Sequence, residues 1–239
     1  MKHLILSLII IFLANCSVNP VTGKQDFVMI SENQEIQMGR EYNAQILKQS
    51  PRYQDQNLQE YVQSIGESLA SKSHRPNLIY RFTVIDSPDI NAFALPGGYI
   101  FINRGLMAYL SSEEELAAVL GHEIGHVTAR HSVRQYSQSQ LMGILSTAVE
   151  INAGRTAGNI ANLASGALLS GYGRDMELEA DDLGAQYIFQ EGYSPQGMFE
   201  VLSVLKDQEI YSKKVAEERG HEPRSYHGVF ASHPSNDLR

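Results

Sequence analysis

The chain has one cysteine, Cys16, in 239 residues. It can form no intrachain disulfide, and no metal site in it can draw on two thiolates, which leaves histidine and carboxylate as the ligand set. A basic run is also lacking: 19 Lys and Arg stand against 27 Asp and Glu, for a net charge of −8. Reading a phosphate backbone needs clustered cations, so the composition argues against nucleic acid as a partner. Beyond residue 14 there is no long apolar run, which excludes a multispanning membrane protein. No internal repeat is visible. What remains is ordinary globular composition, 43% hydrophobic and 19% charged, long enough for one substantial core.

The first residues form an address. Lys2 supplies a short positive region, and the apolar run over residues 4–14 is too short to span a bilayer comfortably. The only cysteine follows directly. Leu13-Ala14-Asn15-Cys16 resembles the lipobox of bacterial lipoproteins, with Asn15 where Gly, Ala or Ser is usual. That resemblance implies a signal peptide over 1–15 and acyl chains on Cys16, which anchor a domain to a membrane without a spanning helix. Ser17 resembles the outer-membrane sorting pattern, so a cell-envelope lipoprotein at the periplasmic face of the outer membrane is expected. Residues 16–30, with Pro20 and Gly23, read as a tether.

Residues 31–239 read as one domain. Helices are expected over 31–49, capped by Ser31 with Gln34 three residues on, and over 53–72, with Leu58, Tyr61, Val62, Ile65 and Leu69 at helical spacing. Residues 79–85, 91–95 and 99–103 alternate as strands, the last two joined by Pro96-Gly97-Gly98, a turn sequence. A small antiparallel sheet follows, whose 91–95 edge could accept an extended peptide. Ser111 and Ser112 each precede a glutamate by three residues, and a helix is expected from there to about residue 138. Its stripe of Leu116, Leu120, Ile124 and Val127 should face the core. Residues 139–173, rich in Gly, Ala, Ser and Asn, suggest two short helices with a mobile link. Further helices are expected over 174–190 and after Ser194-Pro195. The fold class is α+β, mostly helical, with a small antiparallel β-sheet. The end at Arg239, just after Ser232-His233-Pro234 where another helix could begin, reads as a truncation.

The segment that carries chemistry is Gly121-His122-Glu123-Ile124-Gly125-His126. Residues four apart on a helix differ by about 40° around its axis, so His122 and His126 can reach one zinc ion. Glu123 can reach a water there, the H-E-x-x-H arrangement of zinc metallopeptidases. Gly121 and Gly125 weaken the helix by roughly 1 kcal/mol each against alanine, which suggests close approach of another element. A third ligand is required. Glu177-Leu178-Glu179-Ala180-Asp181 supplies acids, and Glu177 and Asp181 share a face that Gly184 continues. Glu177 is assigned as third ligand, with Glu179 as the alternative. Asp181 is assigned to accept a hydrogen bond from the far ring nitrogen of a metal-bound histidine.

These pieces, in order, resemble metallopeptidase family 48, which includes HtpX-like, CAAX-prenyl and Oma-type zinc proteases and periplasmic lipoprotein relatives. The matching residues are Asn19-Pro20-Val21-Thr22-Gly23, Asn91-Ala92-Phe93 with Pro96-Gly97-Gly98, the 121–126 segment, Arg174 with 177–181, and Ser232-His233-Pro234. The resemblance implies a gluzincin-type metalloprotease domain with one Zn2+, Glu177 as ligand and Asp181 behind the ligands. It also implies that His233 lies near the metal, where it could hold the enzyme latent.

The expected function is a zinc-dependent endopeptidase that cleaves unfolded or misassembled envelope proteins, with Glu123 as general base. Substrate would lie extended along Asn91, Ala92 and Phe93. Candidates for the oxyanion stabiliser are Arg174, Tyr172, Tyr226 and His227, and the sequence does not choose among them. The alternative is a chaperone-like assembly-factor lipoprotein for outer-membrane proteins, with proteolysis secondary. A structural zinc domain is disfavoured by the lack of cysteine ligands and by Glu123 beside the first histidine.

Overall fold

A computed structural model describes residues 16–152 and 171–218. The expected signal peptide over 1–15, most of the expected helix pair over 139–173, and Tyr226, His227 and His233 lie outside the described residues. The elements in chain order are β1 (Cys16–Val18), β2 (Gln25–Phe27), α1 (Glu32–Gln49), α2 (Gln56–Ser71), β3 (Arg81–Ile85), β4 (Ala92–Leu95), β5 (Tyr99–Asn103), α3 (Arg104–Met107), α4 (Glu113–Thr128), α5 (His131–Asn152), α6 (Arg174–Glu191) and α7 (Gln196–Glu218). The domain is α+β and mostly helical. Among the described residues no helix is long and apolar enough to cross a membrane.

Local signals set the helix starts. Ser31 Oγ accepts from Gln34 N at 3.3 Å while Gln34 Oε1 accepts from Ser31 N at 2.8 Å, a reciprocal cap. Ser112 Oγ accepts from Glu115 N at 3.1 Å at the start of α4. Tyr61 departs from the expected stripe of α2. It is exposed, and its hydroxyl donates to Glu113 at 2.7 Å.

The three-stranded sheet has the order β3-β5-β4 and is not wholly antiparallel. β4 and β5 form the expected hairpin across Pro96-Gly97-Gly98, with Gly97 at φ 74° and Gly98 at φ 89°. β3 pairs with β5 in parallel. The reason lies in the faces of β5. Ile100 and Ile102 enter the main core with α2, α4, α6 and α7, and Tyr99 and Phe101 enter a second core under Tyr42 and Ile46 of α1. A strand buried on both faces takes the central place, and the chain between β3 and β4 must step around it. Among the described residues β4 is therefore paired on one side only.

Two further expectations are corrected. Residues 16–30 are not a bare tether: β1 and β2 form an antiparallel hairpin with Cys16 opposite Phe27. Asn19 Oδ1 closes its turn by accepting from Val21 N and Thr22 N at 2.8 and 3.1 Å. The segment is fixed to the domain where Ser137 Oγ accepts from Met29 N at 2.9 Å. The helix expected to run to residue 138 breaks after Thr128. Arg130 adopts φ 56° and α5 starts afresh at His131. A left-handed backbone at a residue with a side chain costs about 1–3 kcal/mol. It is held by a buried network: Arg130 Nε donates to Glu35 Oε2 at 2.9 Å, and Arg75 Nη1 donates to Glu35 Oε1 at 2.7 Å and to the Val127 carbonyl at 3.1 Å. Glu35 is 1% exposed. The Glu35→Gln substitution leaves the buried Arg130 guanidinium without its carboxylate and Arg75 with only the more exposed Glu32, which it contacts at 2.8 Å. It is expected to lower the unfolding free energy by about 3–5 kcal/mol, measured by urea titration.

Candidate metal centre

The centre is built where α4 crosses α6. A Cβ on Gly125 would lie 2.8 Å from the Ala180 carbonyl oxygen, and one on Gly184 would lie 2.8 Å from His122 N. Only hydrogen at these positions lets the two backbones meet. The close approach expected from Gly121, Gly125 and Gly184 is therefore present, and it brings the acids of α6 to the histidines of α4.

His122 and His126 lie one turn apart, with their Nε2 atoms 3.0 Å from each other. Glu177 faces both: Oε2 is 3.7 Å from His122 Nε2, and Oε1 is 3.5 Å from His126 Nε2. One ligand atom from each of the three residues falls within 4.8 Å of the others, and all three residues are buried. Glu177 is 0% exposed. Two imidazole lone pairs at 3.0 Å repel unless a proton or a cation lies between them, and a buried carboxylate needs a positive counterpart. The donor set, two nitrogens and one carboxylate, is one that zinc accepts. The residues thus fit a metal ion.

The surroundings hold these donors in place. Asp181 Oδ1 lies 2.9 Å from His122 Nδ1. Glu179, the alternative ligand, turns away from the cluster. Its Oε2 contacts His131 Nε2 and Arg134 Nη1, each at 3.0 Å. These partners hold the Glu179 carboxyl well below its ordinary range, at about 2. His131 also meets His126, Nδ1 to Nδ1, at 2.8 Å. Tyr172 stacks on the His126 ring at 4.1 Å between centroids, and its hydroxyl is 2.6 Å from Ser132 Oγ. Burial pushes the Tyr172 phenol up, so it stays protonated at neutral pH.

Glu123, 2% exposed, borders a cavity of ≈ 40 Å³ together with His122, Asp181, Ala92 and aliphatic side chains of α7. β4 is therefore next to the cluster. Phe93 points the other way, stacked on Phe101 at 5.1 Å. The Asn91 carbonyl accepts from Asn103 N at 2.9 Å. Arg174 opens α6 and is exposed; among the described residues no hydrogen bond or ion pair ties it to the cluster. The backbone of Cys16 starts β1. Sequence reasoning missed the His131 contact. On an unbroken helix a residue five positions on lies about 140° away, and Ala129-Arg130 carries no Gly or Pro to signal the break.

A pair of imidazoles one turn apart, with a glutamate between them and a carboxylate from a second helix, makes a donor cluster of the class found in metal-dependent hydrolases. Residues 56–239 match peptidase family M48, and the chain belongs to that family. It is similar to the beta-barrel assembly-enhancing protease of Escherichia coli (strain K12), 33% identical over 210 residues, which cover 83% of this chain and 43% of that protein. The Yersinia pestis protein of the same name is 32% identical over 232 residues, 92% of this chain and 45% of that one. The mitochondrial metalloendopeptidase OMA1 of Arabidopsis thaliana is 31% identical over 143 residues, 59% of this chain and 29% of that one. The chain spans less than half the length of these relatives.

A methyl group at position 184 must push α6 away from α4 at the level of His122. The Gly184→Ala substitution is expected to cost about 1–3 kcal/mol of stability and to weaken zinc binding. Denaturant unfolding with and without added zinc checks both.

Proposed function

We propose that this chain is a zinc-dependent endopeptidase of the bacterial cell envelope, acting on unfolded or misassembled proteins. The observation that carries the reading is the convergence of His122, His126 and Glu177, with His122 and Glu123 bordering a cavity that Ala92 of β4 also lines, a strand paired on one side only among the described residues.

His122, His126 and Glu177 would hold the ion. The chemistry expected of bound zinc is Lewis acidity, which acidifies a water and polarises the scissile carbonyl. Glu123 takes the proton of the attacking water and later delivers it to the leaving amine. Asp181 accepts a hydrogen bond from His122 Nδ1–H, which fixes the tautomer that leaves the Nε2 lone pair facing the cluster. β4 offers main-chain hydrogen bonds to an extended peptide, so selection rests on unfolded backbone more than on side chains. His233 lies outside the described residues, and no step is assigned to it.

Placement in the envelope follows from the lipobox-like sequence. Acylation of Cys16 would put the hairpin β1–β2, and the domain fixed to it, at the membrane surface. The names of the bacterial relatives include assembly of β-barrels, which supports outer-membrane proteins as the substrate class. It also favours a second reading, in which the cleft assists assembly and cleavage is secondary.

One substitution tests both. Glu123→Gln is expected to retain zinc, measured by metal analysis of the purified protein, while casein cleavage falls by about 10²–10⁴-fold. Unchanged cleavage would remove Glu123 as the base. In a deletion strain the protease reading expects the variant to fail to complement an envelope defect. Full complementation would move the weight to assembly.

A further inference from the structure

We propose that His131 and Glu179 are positioning residues that hold the His126 imidazole in the one tautomer and orientation able to bind zinc. The proposal rests on the reading of His126 as a zinc ligand and adds a second, longer support beside that of Asp181 on His122.

The geometry is a directed chain of hydrogen bonds. His126 Nδ1 lies 2.8 Å from His131 Nδ1, and His131 Nε2 lies 3.0 Å from Glu179 Oε2. A histidine that presents its Nε2 lone pair to a metal carries its proton on Nδ1. That proton must go to His131 Nδ1, which then acts as the acceptor. The His131 proton is thereby placed on Nε2, where it donates to the Glu179 carboxylate. Each donor meets one acceptor, and the chain ends on a formal negative charge. Arg134 Nη1 donates to the same Glu179 oxygen at 3.0 Å and fixes the terminus. Reversing any link would put the His126 proton on Nε2 and block the metal.

The backbone is shaped for this contact. His131 is 0% exposed and sits five residues after His126. On a continuous helix it would point about 140° away. The left-handed turn at Arg130, φ 56°, folds it back under the His126 ring. Tyr172 covers a face of that ring, and its hydroxyl contacts Ser132, the neighbour of His131. The strained residue is thus the device that lets the first residue of α5 support a ligand on α4.

The test is zinc affinity, measured on the purified protein by competition with a chromophoric chelator, with unfolding of each zinc-free form as the fold control. His131→Ala should raise the zinc Kd by about 10–100-fold. His131→Asn, which keeps an acceptor near the His131 Nδ1 position, should recover most of the loss. Glu179→Ala should weaken binding in the wild-type background but add less than twofold to His131→Ala, because Glu179 acts through His131. Zinc affinity of folded His131→Ala within twofold of wild type overturns the proposal, and so does an additive loss in the double variant. If His131→Ala does not fold, Glu179→Ala at the partly exposed end of the chain decides: unchanged zinc affinity there overturns the proposal. Wild-type protein that binds no zinc overturns the metal reading itself. Tight wild-type binding with unaffected variants overturns only the positioning role.

Discussion

The contact of α4 with α6 is the constraint on which the site depends. Neither helix holds a complete ligand set: α4 brings two imidazoles and α6 one carboxylate. Their donors meet within 4.8 Å only because Gly125 and Gly184 leave room for backbone against backbone. The cost in helix propensity, roughly 1 kcal/mol per glycine, is small beside the burial that the crossing achieves. Residues 115–128 of α4 are all buried. Ile188 and Leu183 of α6 join Leu120 and Ile124 of α4 in one apolar core. The polar cluster therefore sits on a rigid seam, where a shift of a few tenths of an ångström would be resisted by dense packing on both sides.

A second constraint acts at the end of α4. The Glu35 carboxylate gathers Arg75 and Arg130, and Ser17 of the N-terminal hairpin accepts from Arg130 Nη1 at 2.8 Å. One buried acid on α1 thus ties together the strained residue after α4, the loop after α2 and the segment that follows Cys16. Burial of such a network adds little net stability when all its members are present, because desolvation offsets most of the attraction. What it supplies is specificity. The chain must reverse at Arg130 and nowhere else, which places His131 under His126 and Ser132 beside Tyr172.

Features with a local cause were legible in the sequence. The reciprocal cap of Ser31 and Gln34 involves residues three apart. The Pro96-Gly97-Gly98 turn is written in the residues that tolerate it. The side-by-side placement of His122 and His126 follows from helical period alone. Gly121, Gly125 and Gly184 signalled a close crossing because their presence mid-helix has no other cheap explanation. Features decided by competition between distant partners were not legible. β3 could have paired with either strand of the β4–β5 hairpin, and burial of both faces of β5 decided it. The reversal at Arg130 depends on Glu35, 95 positions earlier, and no local residue announces it. For the same reason Glu179 could be recognised as an acid near the site but not as the partner of His131.

The two sides of the cleft differ in a way that bears on how substrate would be read. On one side Glu123, His122 and Asp181 form a polar floor, each held by the helix crossing. On the other, Met198, Val201 and Leu205 of α7 form an aliphatic wall beside Ala92. That wall is fixed by close packing, since a Cβ on Gly197 would lie 2.8 Å from the Glu114 carbonyl oxygen. Alternation along β4 sends Phe93 into the second core and leaves the small Ala92 facing the cleft. A peptide laid along β4 would therefore meet main-chain hydrogen bonds at the strand edge, with a shallow apolar recess beside Glu123. An extended segment can pair in this way without first giving up hydrogen bonds of its own.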